Sequence, residues 1–241
     1  MKYTKLGWVG CLFLGCADTS NRSQNEGVLV HEVTYDLAWD LDGSALQSLQ
    51  NNLGYQVEIE TAYLVHYSVQ LIPCAEESSV TAAVFAPWIA IAGHGDENDP
   101  SMSPIPVVEA LHGQEPLSLG TVQMTPNRYC GVHYLIGRAN VASDGLPPEV
   151  SLVDRSLYVR GHWHKEGGQV TAFEWETELA YGAFREIPAD SPEGAIRWLV
   201  TRTPDALFQD VDFEESSDTQ QMWQFLINAV DGVHVRIESS E

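Results

Sequence analysis

The chain has 241 residues, with 34 acidic and 12 basic side chains and a formal net charge of −22. This length can build one large domain or two small ones around a real hydrophobic core. Such an acidic surface repels nucleic acid and anionic lipid, so we expect no nucleic-acid partner. It suits cationic partners, metal ions included, although solubility alone would also explain it.

The N-terminal residues have the pattern of an export signal. Lys2 and Lys5 precede an apolar run over residues 6–14, which is too short to span a bilayer stably and ends at Gly15-Cys16. A Gly-Cys at this point resembles the lipobox of bacterial lipoproteins, in which the Cys is acylated and becomes the new N-terminus. Phe13 stands where that motif usually has Leu. The alternative is an ordinary signal peptide that is cut nearby.

On this interpretation, residues 1–16 are a lipoprotein signal peptide and Cys16 is the lipidation site. We expect a cell-envelope protein, periplasmic or at the outer membrane, that contacts the membrane through its N-terminal lipid anchor. Residues 17–27 are polar and aperiodic, as is typical of a flexible tether. Residues 28–241 are then expected to form a single domain.

The cysteines predict one disulfide bond. Cys11 leaves with the signal and Cys16 is lipidated, so Cys74 and Cys130 remain as an even pair in an oxidising compartment. Two separate buried thiols, or a two-cysteine metal site, are the alternatives.

The first half of the domain combines strand patterns with a long irregular insertion. Residues 28–39 predict a first strand, and residues 44–53 predict a short helix capped by Ser44. From Tyr55 to Ile72 apolar residues occupy most odd positions and polar residues most even ones, which predicts a buried and a wet face. The length of this segment predicts either two strands or one strand bent by a bulge near Thr61. Residues 75–119 contain five prolines and form an insertion that we expect to pack, because it keeps many apolar residues.

Strand patterns resume after the insertion. The predicted elements are strands over residues 129–137, 156–163 and 170–177, a strand over 196–201, a helix over 219–229 and a strand over 233–237. Residues 164–168 predict a hairpin loop between the second and third of these strands. The sequence therefore predicts an all-β fold: a β-sandwich of the immunoglobulin/transthyretin type, with a long irregular insertion and a short C-terminal helix.

Histidines are the chemistry-bearing residues that stand out, because the chain has no phosphate loop, nucleophile elbow or His-Glu-x-x-His motif. In His162-Trp163-His164, a strand would point both imidazoles to one face, where they could chelate one ion. Two surface histidines at a hairpin end are the alternative.

Three other histidines are candidates for the same site. His66 is on the polar face of the long strand, and His94 lies between glycines with Asp96 as a possible orienting partner. His133 is more often a core histidine in such a setting, and His94 a loop histidine. The acidic loop over residues 96–99 offers calcium ligands, but its spacing favours a solvated turn.

Three segments resemble the MbnP-like family of exported copper-binding proteins. They are the strand over residues 63–71, the Pro-Asn-Arg-Tyr-Cys-Gly run over 126–137, and the tryptophan-containing strand pair over 156–175. The resemblance spans about residues 28–180, and the family's Leu-Asp-Phe-Glu segment is missing. It implies copper binding through histidines, for which the candidates here are His66, His94, His133, His162 and His164, with Trp163 and Trp88 nearby.

The sequence thus favours an exported lipoprotein that binds copper, or zinc as second choice, for acquisition, buffering or delivery. The mature part has too few methionines for a methionine-rich Cu(I) site. The alternative is a structural lipoprotein whose apolar insertion docks a protein partner without metal. An enzyme that uses the same metal, such as a copper oxidase, is the weakest hypothesis because no acid, base or nucleophile motif is present.

Overall fold

The structure is a computed structural model that describes residues 31–39, 48–74, 106–111, 117–124, 129–186 and 196–239. The predicted signal peptide, tether, most of the insertion, His94 and the acidic loop lie outside the described residues. The strands are β1 (His31–Trp39), β2 (Ser48–Gln50), β3 (Tyr55–Pro73), β4 (Val107–Ala110), β5 (Leu117–Met124), β6 (Tyr129–Ile136), β7 (Leu157–Lys165), β8 (Thr171–Thr177), β9 (Tyr181–Glu186), β10 (Ile196–Arg202) and β11 (His234–Ser239). A 3₁₀ turn (Pro204–Ala206) and helix α1 (Asp218–Asp231) separate β10 from β11.

The strands form two sheets. The larger sheet has the order β8-β7-β3-β6-β9, and β2 and β4 also pair with β3. The smaller sheet has the order β11-β10-β1-β5. All pairings between these strands are antiparallel except that of β1 with β10. The described chain is therefore mostly β, as predicted.

Strand β3 is the centre of the larger sheet, and two register shifts divide it. The first lies between Ile59 and Thr61, where the pattern predicted a bulge, and the second between His66 and Ser68. Each shift exchanges the two faces of the strand. The main core accordingly receives Tyr55 and Val57 from odd positions, then Ala62 and Leu64 from even ones, then Val69 and Leu71 from odd ones.

The middle of β3 is buried on both faces. A second apolar cluster covers the face opposite the main core and consists of Tyr63, Val65, Val108, Ala139, Leu152 and Tyr158. The prediction of a wet even face is therefore wrong from Ala62 to Ser68, although it holds for Gln56, Glu58 and Glu60, which are exposed.

Helix α1 closes the main core. Ser217 caps it in a capping box with Gln220, which satisfies backbone donors of the first turn. Its buried face, with Phe225, Leu226, Ala229 and Val230, packs with Leu207 and Phe208 of the preceding segment. The predicted C-terminal helix is confirmed, and it extends slightly beyond both predicted ends. No helix in the described part of the chain has the length and apolar character needed to cross a membrane.

Two further predictions have clear outcomes. The disulfide between Cys74 and Cys130 is confirmed, and it joins the chain just after β3 to β6. The helix predicted over residues 44–53 is wrong in its described part, because Ser48–Gln50 pairs with β3 as β2. Asn51 then turns the chain: its amide group donates to the carbonyls of Phe208 and Val211, a tertiary contact that local helix propensity does not include.

Candidate functional site

His162 and His164 lie on the same face of β7, opposite Glu58 and Gln56 of β3. Both are partly exposed, and the side chain of His162 is 38% accessible. Trp163 points to the other side, where its ring stacks on Phe213 with centroids 5.4 Å apart. The two imidazoles therefore stand on a surface that the rigid aromatic core supports from behind.

The bulge in β3 places a carboxylate against His162. Ile59 pairs with Gly161 and Thr61 with Arg160, so Glu60 is the extra residue between them. Its Oε1 lies 3.2 Å from Nδ1 of His162, and its Oε2 accepts a hydrogen bond of 3.0 Å from Nε of Arg160. Bulges commonly re-aim a side chain in this way.

Gly161 makes this close approach possible. A Cβ atom at this position would lie 2.1 Å from the carbonyl oxygen of Glu58, a distance that no side chain tolerates. The glycine is therefore part of the arrangement that brings Glu60 to His162. With Nδ1 facing Glu60, the Nε2 atom of His162 is the ring nitrogen left to meet a ligand.

His66 occupies a different environment. Its Nδ1 lies 2.6 Å from the hydroxyl of Tyr134, and its Nε2 lies 2.9 Å from Oε2 of Glu109. All three residues are buried, with exposed fractions of 2%, 1% and 5% for His66, Tyr134 and Glu109. Both ring nitrogens have partners, so this group is a buried polar network in the core.

Sequence reasoning missed Glu109 as a partner of His66. Glu109 falls in the segment that was expected to be irregular, but it lies on β4, where Leu64 pairs with it and His66 pairs with Val107. One feature of the sequence could have indicated this pair: Glu109 is an acidic residue inside the apolar run over residues 107–111. An acidic side chain that is buried with such a run needs a buried partner.

His133 is half-buried on β6, where it pairs with Gln70 of β3 and Phe184 of β9. Burial lowers the pKa of its imidazole, which keeps the ring neutral at physiological pH. A neutral imidazole is the form that binds metal, but no second histidine of the described residues is paired with it across either strand.

The candidate histidines among the described residues thus fall into two groups, one beside the start of β3 and one from its middle onwards, while His31 and His234 lie on β1 and β11 of the smaller sheet. His162 pairs with Glu58, and His66 lies eight residues further along the same strand, about 25 Å away at strand rise. His133 pairs beyond that, at Gln70. One ion cannot join the two groups, and the described residues contain no cluster of three or more His, Cys, Asp or Glu side chains placed to hold a metal.

Comparisons with known proteins add little to this geometry. No protein-family model matches the chain, and no curated protein matches it. Among solved structures, MbnP from Methylosinus trichosporium is similar at 10% sequence identity and a TM-score of 0.33, over 74% of this chain and 78% of that one. This is a weak structural resemblance.

Proposed function

We propose that this chain is an exported, lipid-anchored envelope protein that binds copper, or zinc as second choice, through His162 and His164. Its role is acquisition, buffering or delivery rather than turnover. One observation supports this assignment above the others: two neighbouring imidazoles share an exposed strand face, and a bulge aims the carboxylate of Glu60 at one of them.

The donor chemistry fits Cu(II) and Zn(II). Imidazole and carboxylate ligands suit both ions, whereas Cu(I) favours thiolate and thioether sulfur. Both described cysteines are joined in the disulfide and offer no thiolate. Glu58, directly across from His162, can supply an oxygen ligand after a change of rotamer, because its side chain is exposed. His94 is the other candidate for a third ligand, while His66 and His133 belong to the distant group.

The test is the metal content of the full chain, exported with its own leader and purified in a neutral detergent. We expect about one equivalent of copper in the parent protein, with nitrogen coupling in the electron paramagnetic resonance spectrum. The double variant His162→Ala/His164→Ala should lose it. His234→Ala is the matched control, because His234 is exposed on β11, in the other sheet.

Other outcomes relocate or overturn the site. Copper that survives the double variant but is lost in His133→Ala would move the site to the region where His133 pairs with Gln70 of β3. A parent protein that binds neither copper nor zinc after loading would refute the metal assignment. The docking lipoprotein would then be the better account, although β4, a described part of the insertion, has Val107 and Val108 buried in the domain and not free to dock.

The anchor and the two-sheet packing complete the proposal. Cys16→Ser should abolish incorporation of a labelled fatty acid while leaving export intact, and an unchanged label would refute lipidation at this residue.

For the fold, we propose a sandwich-like arrangement of the two sheets. Leu117 and Leu119 of β5, in the smaller sheet, pack in the main core with residues of the larger sheet, which supports this arrangement.

A further inference from the structure

A half-open cavity of about 420 Å³ lies between the loop over residues 210–216 and one side of helix α1. This volume falls in the range of small-molecule sites. Most of its nine lining residues are polar, among them Asp210, Asp212, Ser216 and Gln221, and one is the aromatic Trp223. The proposed metal site makes no use of any of them.

The aromatic residue of the cavity is Trp223. Trp223 is 41% exposed, although tryptophan is the largest apolar residue. The other aromatic residue of α1, Phe225, is fully buried. The ring of Tyr181 meets the indole of Trp223 at 81° with centroids 5.4 Å apart and so restricts its orientation. An indole held in place at the wall of a cavity offers a ready surface for a ligand.

The loop that forms the other wall is held in place before any ligand arrives. Oδ1 of Asp212 accepts hydrogen bonds from the hydroxyl of Tyr55 at 2.6 Å and from the backbone N–H groups of Glu214 and Glu215 at 3.0 and 3.1 Å. The amide of Gln221 donates to the carbonyls of Asp212 and Ser216, at 3.1 and 2.7 Å. Such a preorganised wall reduces the entropy cost of binding.

The cavity is anionic. Asp210 and Asp212 are carboxylates, and none of the nine lining residues is Lys, Arg or His. The hydrogen bond from Tyr55, followed by those from the backbone of Glu215 and Glu214, lowers the pKa of Asp212, so its carboxylate stays ionised. Lys165 contributes to that shift from outside the cavity, and its own ammonium is paired with Glu214 at 2.7 Å.

We propose that this cavity binds a small organic cation of the quaternary-ammonium class, seated on the indole of Trp223 with Asp210 and Asp212 balancing its charge. Indole is the aromatic ring that attracts cations most strongly, and a quaternary ammonium has no N–H group that must find an acceptor. A bare divalent ion fits less well, since it needs several oxygen ligands within about 2.5 Å and gains nothing from an indole.

The test compares choline with 3,3-dimethylbutan-1-ol, which has the same shape without the charge. Calorimetric titration of the full chain should show saturable choline binding and binding of the neutral analogue that is weaker by about tenfold or more. Trp223→Ala should weaken choline binding by about tenfold, with a smaller loss in Trp223→Phe. Phe184→Ala removes a ring that is 48% exposed on β9 and should change nothing.

Three results would overturn the inference: no saturable choline binding at tens of millimolar, equal binding of the neutral analogue, or choline binding that Trp223→Ala leaves intact while its urea unfolding curve shows a folded protein. Phosphatidylcholine vesicles, tested in parallel with the Cys16→Ser chain, which lacks the proposed lipid anchor, separate the two sources of the same headgroup. Sedimentation with vesicles that Trp223→Ala abolishes assigns a lipid headgroup, and binding of free choline alone assigns a soluble cation.

Discussion

Gly161→Ala tests whether the bulge at Glu60 depends on the missing side chain. The added Cβ would lie 2.1 Å from the carbonyl oxygen of Glu58, more than 1 Å inside a normal carbon–oxygen contact. Backbone, not a flexible side chain, must therefore move, and the cost should reach the upper end of the usual overpacking range, about 3 kcal/mol. For a domain of this size that corresponds to a fall in Tm of about 6–12 °C.

The matched control is Gly167→Ala in the adjoining hairpin loop. Nothing lies within 4 Å of its added Cβ, so only its positive φ of 72° resists the change, at about 1 kcal/mol. Urea unfolding followed by circular dichroism measures both variants. We also expect Gly161→Ala to weaken copper binding, because the added methyl group pushes β3 and β7 apart and so moves Glu60 away from His162. Equal destabilisation by the two variants would refute the steric argument.

Three further predictions concern stability. Replacing Cys74 and Cys130 by Ala opens a loop with a sequence separation of 56 and should lower the free energy of unfolding by about 4 kcal/mol in urea titrations. Trp175→Ala empties a fully buried site in the aromatic core and should cost about 3–5 kcal/mol in the same assay. Burial, reinforced by Glu149, raises the pKa of Tyr63 from 10.0 to about 12. The stabilisation from its neutral phenol is complete below pH 10 and is lost as the pH rises towards 12, so Tyr63→Phe should flatten that alkaline loss.

The elements that the sequence predicted well are those with strong local patterns. The hairpin between β7 and β8 and the terminal helix follow from period-2 and period-3.6 spacing with turn and capping residues, all of which act within a few positions. Residues 44–53 show where this fails. Their spacing fits a helix, but pairing of Leu49 with Val57 and the contacts of Asn51 favour a strand and a turn.

The bulge near Thr61 is confirmed as one of the two alternatives that the sequence predicts for this segment, but the faces of the strand beyond it differ from those that the alternation predicts. A single inserted residue exchanges the two faces, so the even-numbered His66 turns into the main core with Leu64. Whether a strand is bulged depends on its partner, here Gly161 on β7, and strand pairing is a non-local property that alternation along one segment cannot reveal.

The candidate site likewise has one part that the local sequence predicts and one part that depends on strand pairing. That His162 and His164 share one face follows from their spacing alone, whereas the approach of Glu60 needs the register of two strands that lie 100 residues apart at this contact. The same long strand that builds this contact also separates it from His66 and His133, because eight further residues carry the chain about 25 Å away. Two histidines near the same strand therefore need not share a site. In the middle of β3 the imidazole of His66 is enclosed by Tyr134 and Glu109, whereas beside the start of the strand His162 has Nδ1 against Glu60 and Nε2 open to a ligand.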